Sequence, residues 1–216
     1  MLNFENWIKC LEDRCDQSAK FINTLSMLEY MGARKIFKSQ RSGAVSLDLL
    51  SHISEEVRHA EVLKKLALKI SDGKLISYSD EYLMCGQAAR IYIQKVDHTA
   101  EQQFGKQNPW VSYLYTTLLL EERAKQIYPA CGALVEKQGF PNVFKGILRE
   151  EDRHLEAILQ ELGSTAEVTP EKLEILKTEE DQAFHQFLQS LAAEVRFFPT
   201  LSTPAPCDSN RIDCTV

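Results

Sequence analysis

A chain of 216 residues with 44% hydrophobic content is long enough to enclose one sizeable core, so a single domain is expected. Its net charge of -6 comes from acidic and basic residues interleaved along the chain; no basic stripe offers itself to a phosphate backbone, and nucleic acid is not expected as a partner. Met1 to Asp16 lacks the unbroken apolar stretch of a signal peptide, and the most apolar run, Leu114 to Leu120, is too short for a membrane span, so the expectation is a cytoplasmic protein without membrane contact.

In chain order, residues 3 to 18 read as a short amphipathic helix with Phe4, Trp7, Ile8 and Leu11 on one side. A second helix, from about Phe21 to Lys38, carries Phe21, Leu25, Leu28, Gly32 and Ile36 on its buried stripe, and Glu29 falls inside that stripe. A carboxylate there needs a partner. Gln40 to Ala44 breaks the pattern, and Ser46 can cap the next helix, 47 to 70, with Leu49, Ile53, Ala60, Leu63 and Leu66 at helical spacing. Glu56 and His59 lie on that apolar face, whereas Glu55, Arg58, Lys64 and Lys65 are expected to face solvent. Ser71-Asp72-Gly73-Lys74 is a stop, followed by a connection to Ser79 and a helix from about Asp80 to Phe104 whose role is to return the chain.

Asn108-Pro109 opens a helix to about Lys137, with the cap at Asn108 and proline in the first turn. The apolar stripe through Leu114, Leu118, Ala124, Tyr128, Cys131 and Val135 includes Glu121 and leaves Glu122 outside, so Glu121 is the candidate ligand and Glu122 the fallback. Pro129 is expected to bend the helix. Gly139-Phe140-Pro141 turns into a helix of about 20 residues. There Glu151 and His154 share the face of Phe144, Ile147, Leu155, Ile158 and Leu162, and Glu150, Asp152 and Arg153 do not. Thr169-Pro170-Glu171 opens a last helix to about Phe197. Residues 199 to 216, rich in Pro, Ser and Thr, read as a loosely held tail to a domain spanning 1 to 198. The six cysteines form no Cys-x-x-Cys pair and read as reduced, structural thiols.

One motif occurs twice, Glu56-Val57-Arg58-His59 and Glu151-Asp152-Arg153-His154. Residues three apart share a helix face, so each copy can aim a carboxylate and an imidazole at one point, a donor pair suited to iron, manganese or zinc. Each copy follows, 27 and 30 residues on, a Glu in an apolar helical run, Glu29 and Glu121. Four carboxylates on apolar stripes are costly to bury without cations, and two divalent ions would balance them.

One Glu from each of two helices and Glu-x-x-His from each of two others resembles the ferritin-like di-iron carboxylate superfamily over roughly residues 20 to 162. The resemblance implies an all-α four-helix bundle with a long crossover and additional N- and C-terminal helices. It implies two iron ions, with manganese or a mixed pair as the alternative metals, bridged by Glu56 and Glu151, with Glu29 and Glu121 terminal and one of His59 and His154 on each ion. It further implies an oxidoreductase that activates dioxygen to oxidise or hydroxylate a small organic substrate, served by an unidentified electron donor, with a homodimer as an admissible assembly. Iron handling or peroxide scavenging, as in ferritins and rubrerythrins, is the alternative, although the rubredoxin module that rubrerythrins normally add needs paired Cys-x-x-Cys, which this chain lacks. Helix spacing is nearest to the aldehyde-deformylating oxygenases and the tRNA-modifying di-iron hydroxylases, and Leu-Glu-Glu-Arg at 120 to 123 looks like the latter; yet a tRNA hydroxylase predicts a basic face. Small residues beside the ligands, Gly32, Ala33, Ala60 and Ala124, either let the helices pack closely or leave room for substrate or dioxygen. Tyr128, two turns from Glu121, is the candidate catalytic side chain, as a hydrogen-bond donor at the site, with an ordinary core tyrosine as the alternative reading.

Overall fold

The computed structural model describes residues 3–39, 45–105, 108–163 and 169–197, and these form seven α-helices with no strand among them. They are α1 (Phe4–Ile8), α2 (Cys15–Ser39), α3 (Leu47–Ile70), α4 (Gly86–Phe104), α5 (Pro109–Lys137), α6 (Phe144–Gly163) and α7 (Pro170–Phe197). Starts follow the capping residues. Ser46 Oγ accepts from the Leu49 amide (3.1 Å), Asn108 Oδ1 from that of Val111 (3.4 Å) and Thr169 Oγ1 from that of Lys172 (3.3 Å). α5 continues through Pro129 without interruption.

Cross-helix contacts fix the directions of the four long central helices. Asn23 meets Lys64, Ser26 meets Ala60 and Gly32 meets Glu56, so α2 and α3 run antiparallel. Trp110 meets Glu161, Glu121 meets His154 and Tyr128 meets Phe144, so α5 and α6 do the same. Contacts of Glu55 with His154 and of Arg58 with Glu150 oppose α3 to α6, and Ser18 with Gln138 and Tyr128 with Glu29 oppose α2 to α5. The four helices therefore close a ring around one interior. Within it α3 and α5 point the same way, so the chain needs a long return path, most of which is α4 and the described residues 71–85 before it. α4 packs on α5 and α7, with Tyr92 stacked on Phe187 at 6.0 Å.

Two helices expected from periodicity are shorter than predicted. The N-terminal one, expected over 3 to 18, is α1 followed by a 3-10 turn at Lys9–Leu11, and Cys15 already opens α2. The helix expected from Asp80 begins as a 3-10 turn, Asp80–Tyr82, and resumes only at Gly86. Side chains of α2 explain the break. Asn23 Nδ2 donates to the Ser77 and Tyr82 carbonyls (3.0 and 2.9 Å), while Thr24 Oγ1 accepts from the Met84 amide (2.9 Å) and donates to its carbonyl (3.0 Å), taking backbone groups that a helix would use. Cys85 then adopts a left-handed conformation, φ 51°. Cys10, Cys85 and Cys131 are free thiols as expected, whereas Cys15 is disulfide-bonded. The expected break at Gln40 to Ala44 and tail at 199 to 216 lie outside the described residues. Among the described residues no helix is long and apolar enough to cross a membrane.

Candidate metal centre

At mid-length of the ring the carboxylates and imidazoles read from the sequence come together. Glu29 stands on α2, Glu56 and His59 on α3, Glu121 on α5, and Glu151 and His154 on α6, all of them buried. Their donor atoms fall into two groups that could each hold a metal ion. One is Glu29, Glu56, His59 and Glu151; the other is His52, Glu56, Glu121 and His154; within each, the donor atoms lie within 4.8 Å of one another. Glu56 belongs to both. Glu151 also reaches across, its Oε1 3.1 Å from His59 Nδ1 and its Oε2 3.3 Å from His154 Nδ1.

His52 was not among the expected ligands. Its Nε2 lies 3.3 Å from Glu121 Oε1 and 3.5 Å from Glu56 Oε1, and its ring centre is 4.0 Å from that of His154. The signal was present in the sequence: His52 precedes Glu56 by four, so His52-x-x-x-Glu56-x-x-His59 lines one helix face over two turns. One imidazole per group, as expected, describes only the group of His59. Of the two adjacent glutamates, Glu121 is buried at the centre, and Glu122 is half-buried and paired with Lys177 (3.3 Å).

Glu55 and Glu150, expected off the buried face, are half-buried and bind across α3 and α6. His59 Nε2 donates to Glu150 Oε2 (2.7 Å), which also accepts from Arg58 (2.7 Å); His154 Nε2 donates to Glu55 Oε2 (2.7 Å), and Arg153 donates to Glu55 Oε1 (3.2 Å). The repeat is therefore Glu-Glu-x-Arg-His, with the first Glu of each copy clamping the histidine of the other. A carboxylate only accepts, so Nε2 carries the proton and the Nδ1 lone pair of the neutral ring is left to face the centre. Lys64, likewise expected in solvent, is half-buried and donates to Asn23 Oδ1 (2.8 Å).

Donor atoms at the centre lack other partners. Glu56 Oε1, both Glu121 oxygens, His52 Nε2 and His59 Nδ1 are buried and make no aligned hydrogen bond. Orphaned buried donors and acceptors are costly, and a cation in each group would satisfy the atoms that belong to it. Protons show the same need. Burial disfavours a charged imidazole, yet Glu121 and Glu56 overcome this at His52, and Glu151 and Glu29 at His59, raising each to about 10. Burial raises Glu121 to about 8 and, with the charge of Glu56 and Glu151, drives Glu29 well above the carboxylate range. Burial also works against an ionised Glu151, but His154 and His59 prevail and hold it at about 2. The centre thus has a strong demand for positive charge.

Tyr128 is buried on α5 and donates its hydroxyl to Glu29 Oε1. Beside the carboxylates lies a cavity of about 90 Å³ walled by Leu25, Leu28, Ile36, Ile93, Ile127 and Phe187. Glu29, Glu56, Glu121, Glu151 and Tyr128 line it, and none of the three imidazoles does. A water needs ~10–15 Å³ on this measure, so several non-hydrogen atoms fit. Of the small residues expected to leave room, Gly32 and Ala124 line the cavity and Ala33 and Ala60 do not.

No protein-family model matches the chain, and comparison with curated proteins and with solved structures returns no match.

Proposed function

We propose that the centre holds two iron ions, manganese or a mixed pair being the alternative, in a ferritin-like bundle, and that the protein is a non-haem di-iron oxidoreductase that uses dioxygen to oxidise or hydroxylate a small, apolar organic substrate. The observation that carries this reading is the pair of buried four-donor groups sharing Glu56. Four carboxylates call for about four positive charges, and imidazole with carboxylate suits iron and manganese better than calcium or magnesium.

When bound, a pair of redox-active ions supplies electrons to dioxygen, chemistry that side chains lack. The chain's own residues do the rest. Glu55 and Glu150 orient the two imidazoles; Glu56 and Glu151 each reach toward both donor groups; Tyr128 keeps a proton at Glu29 Oε1. The mostly aliphatic and aromatic wall, with Lys35, Thr116, Thr117 and Arg123 also on it, favours an apolar molecule beside the carboxylates. That cavity favours substrate oxidation over iron handling or peroxide scavenging, for which space beyond peroxide has no use. An acidic chain gives a tRNA-modifying hydroxylase no support.

Metal analysis of purified protein tests the centre: Glu56→Ala and Glu151→Ala should each strip it of iron, and unchanged content in both defeats the reading. For the reaction, iron-loaded protein is reduced without oxygen and then mixed with dioxygen. A transient visible absorption that decays faster in the presence of a small-metabolite extract supports substrate oxidation. Decay indifferent to every extract points to storage or scavenging.

A further inference from the structure

We infer that the two ion positions are unequal, the one among His52, Glu121 and His154 filling first and the one among Glu29, His59 and Glu151 filling second and emptying first. This rests on the two-metal reading above. Glu56 is common to both groups, and Glu151 faces both, so neither decides between them. What remains differs. Besides Glu56, the first position has two imidazoles and one carboxylate; the second has one imidazole and two carboxylates, of which Glu151 also reaches toward His154.

Each imidazole is a strong donor to a divalent transition metal, so the additional ring favours the first position. The two remaining carboxylates differ in the same direction. Both oxygens of Glu121 are buried without a hydrogen-bond partner and are free to bind an ion. Glu29 already accepts the Tyr128 hydroxyl at Oε1, which draws charge from it and leaves one oxygen free. At Nε2 His154 and His59 are alike, each clamped at 2.7 Å by a glutamate; at Nδ1 His154 already meets Glu151 Oε2 at 3.3 Å while His59 makes no aligned hydrogen bond, so the preference rests on His52 and Glu121. His52 has Tyr113 near its Nδ1 at 3.4 Å and is the ring with no counterpart in the other group.

The test is a titration of metal-free protein with cobalt(II) in the absence of oxygen, followed by calorimetry and by visible absorption, whose intensity reports the number of donors. Two steps are expected, the first with a dissociation constant at least about tenfold lower than the second. His52→Ala, with His52→Gln as the variant that keeps the volume, should weaken the tight step at least about tenfold and leave the weaker one. Glu29→Ala should abolish the weaker step and leave the tight one. Two ions binding in one indistinguishable step, or both substitutions acting on the same step, overturns the inference while leaving the centre intact. If wild-type protein takes up no cobalt, or Glu56→Ala takes up as much as wild type, the two-metal reading itself fails and the inference with it.

Discussion

Glu55 and Glu150 settle something the central histidines cannot settle for themselves, namely which nitrogen of the opposite ring carries the proton. Each is held in turn by the arginine next to that histidine, so every clamp joins α3 to α6 twice. Glu55→Ala or Glu150→Ala is predicted to weaken metal binding about 10–100-fold with helix content unchanged by circular dichroism; unaltered affinity in both would remove the clamps from the account. Gly32 gives a second prediction, because a Cβ there would stand 3.2 Å from Glu56 Oε2. Gly32→Ala gains up to about 1 kcal/mol of helix propensity, so metal-free protein should melt no lower than wild type while iron affinity falls. The four buried glutamates were legible because burying a charge on an apolar stripe is anomalous and periodicity alone separates Glu121 from Glu122. The clamps were not, since Glu55 and Glu150 sit on the flank where α3 meets α6, a direction that a core-versus-solvent reading of one helix does not contain.

Helix ends were readable wherever a side chain caps them, as at Ser46, Asn108 and Thr169, and unreadable where tertiary contacts overrule propensity. The connection from α3 to α4 is the case in point. Periodicity favours a helix from Asp80, but Asn23 and Thr24 of α2 hold the Tyr82 and Met84 backbone, and nothing local to residues 80–85 announces partners some 60 positions earlier. Asn23→Ala should therefore cost about 1–3 kcal/mol for each carbonyl left without its donor, read as a lower Tm. The variant also loses the Lys64 contact from α3, but Ser26 with Ala60 and Gly32 with Glu56 still join α2 to α3 beside the centre, so it should still bind metal; a loss of metal with unchanged Tm would contradict this division of labour.

Taken whole, the molecule encloses a charge imbalance, and its stability without metal must depend on pH. His52 and His59 have folded values near 10, above the 6.5 of a free imidazole, so their contribution is full below about pH 6.5 and is lost as pH rises toward 10. Glu121, raised from 4.5 to about 8, adds a further loss across that interval. Both act in one direction. Metal-free protein should unfold at lower denaturant at about pH 9 than at about pH 6, and bound ions, which replace those protons, should flatten the difference. Equal midpoints for the metal-free form would mean that the centre holds little excess negative charge. The central claim is tested most directly by an anomalous difference map at the iron absorption edge from crystals of iron-loaded protein. Two peaks flanking Glu56 are predicted, one among His52, Glu121 and His154 and one among Glu29, His59 and Glu151. A map with no peak at these side chains, or with iron only elsewhere on the molecule, would contradict the account.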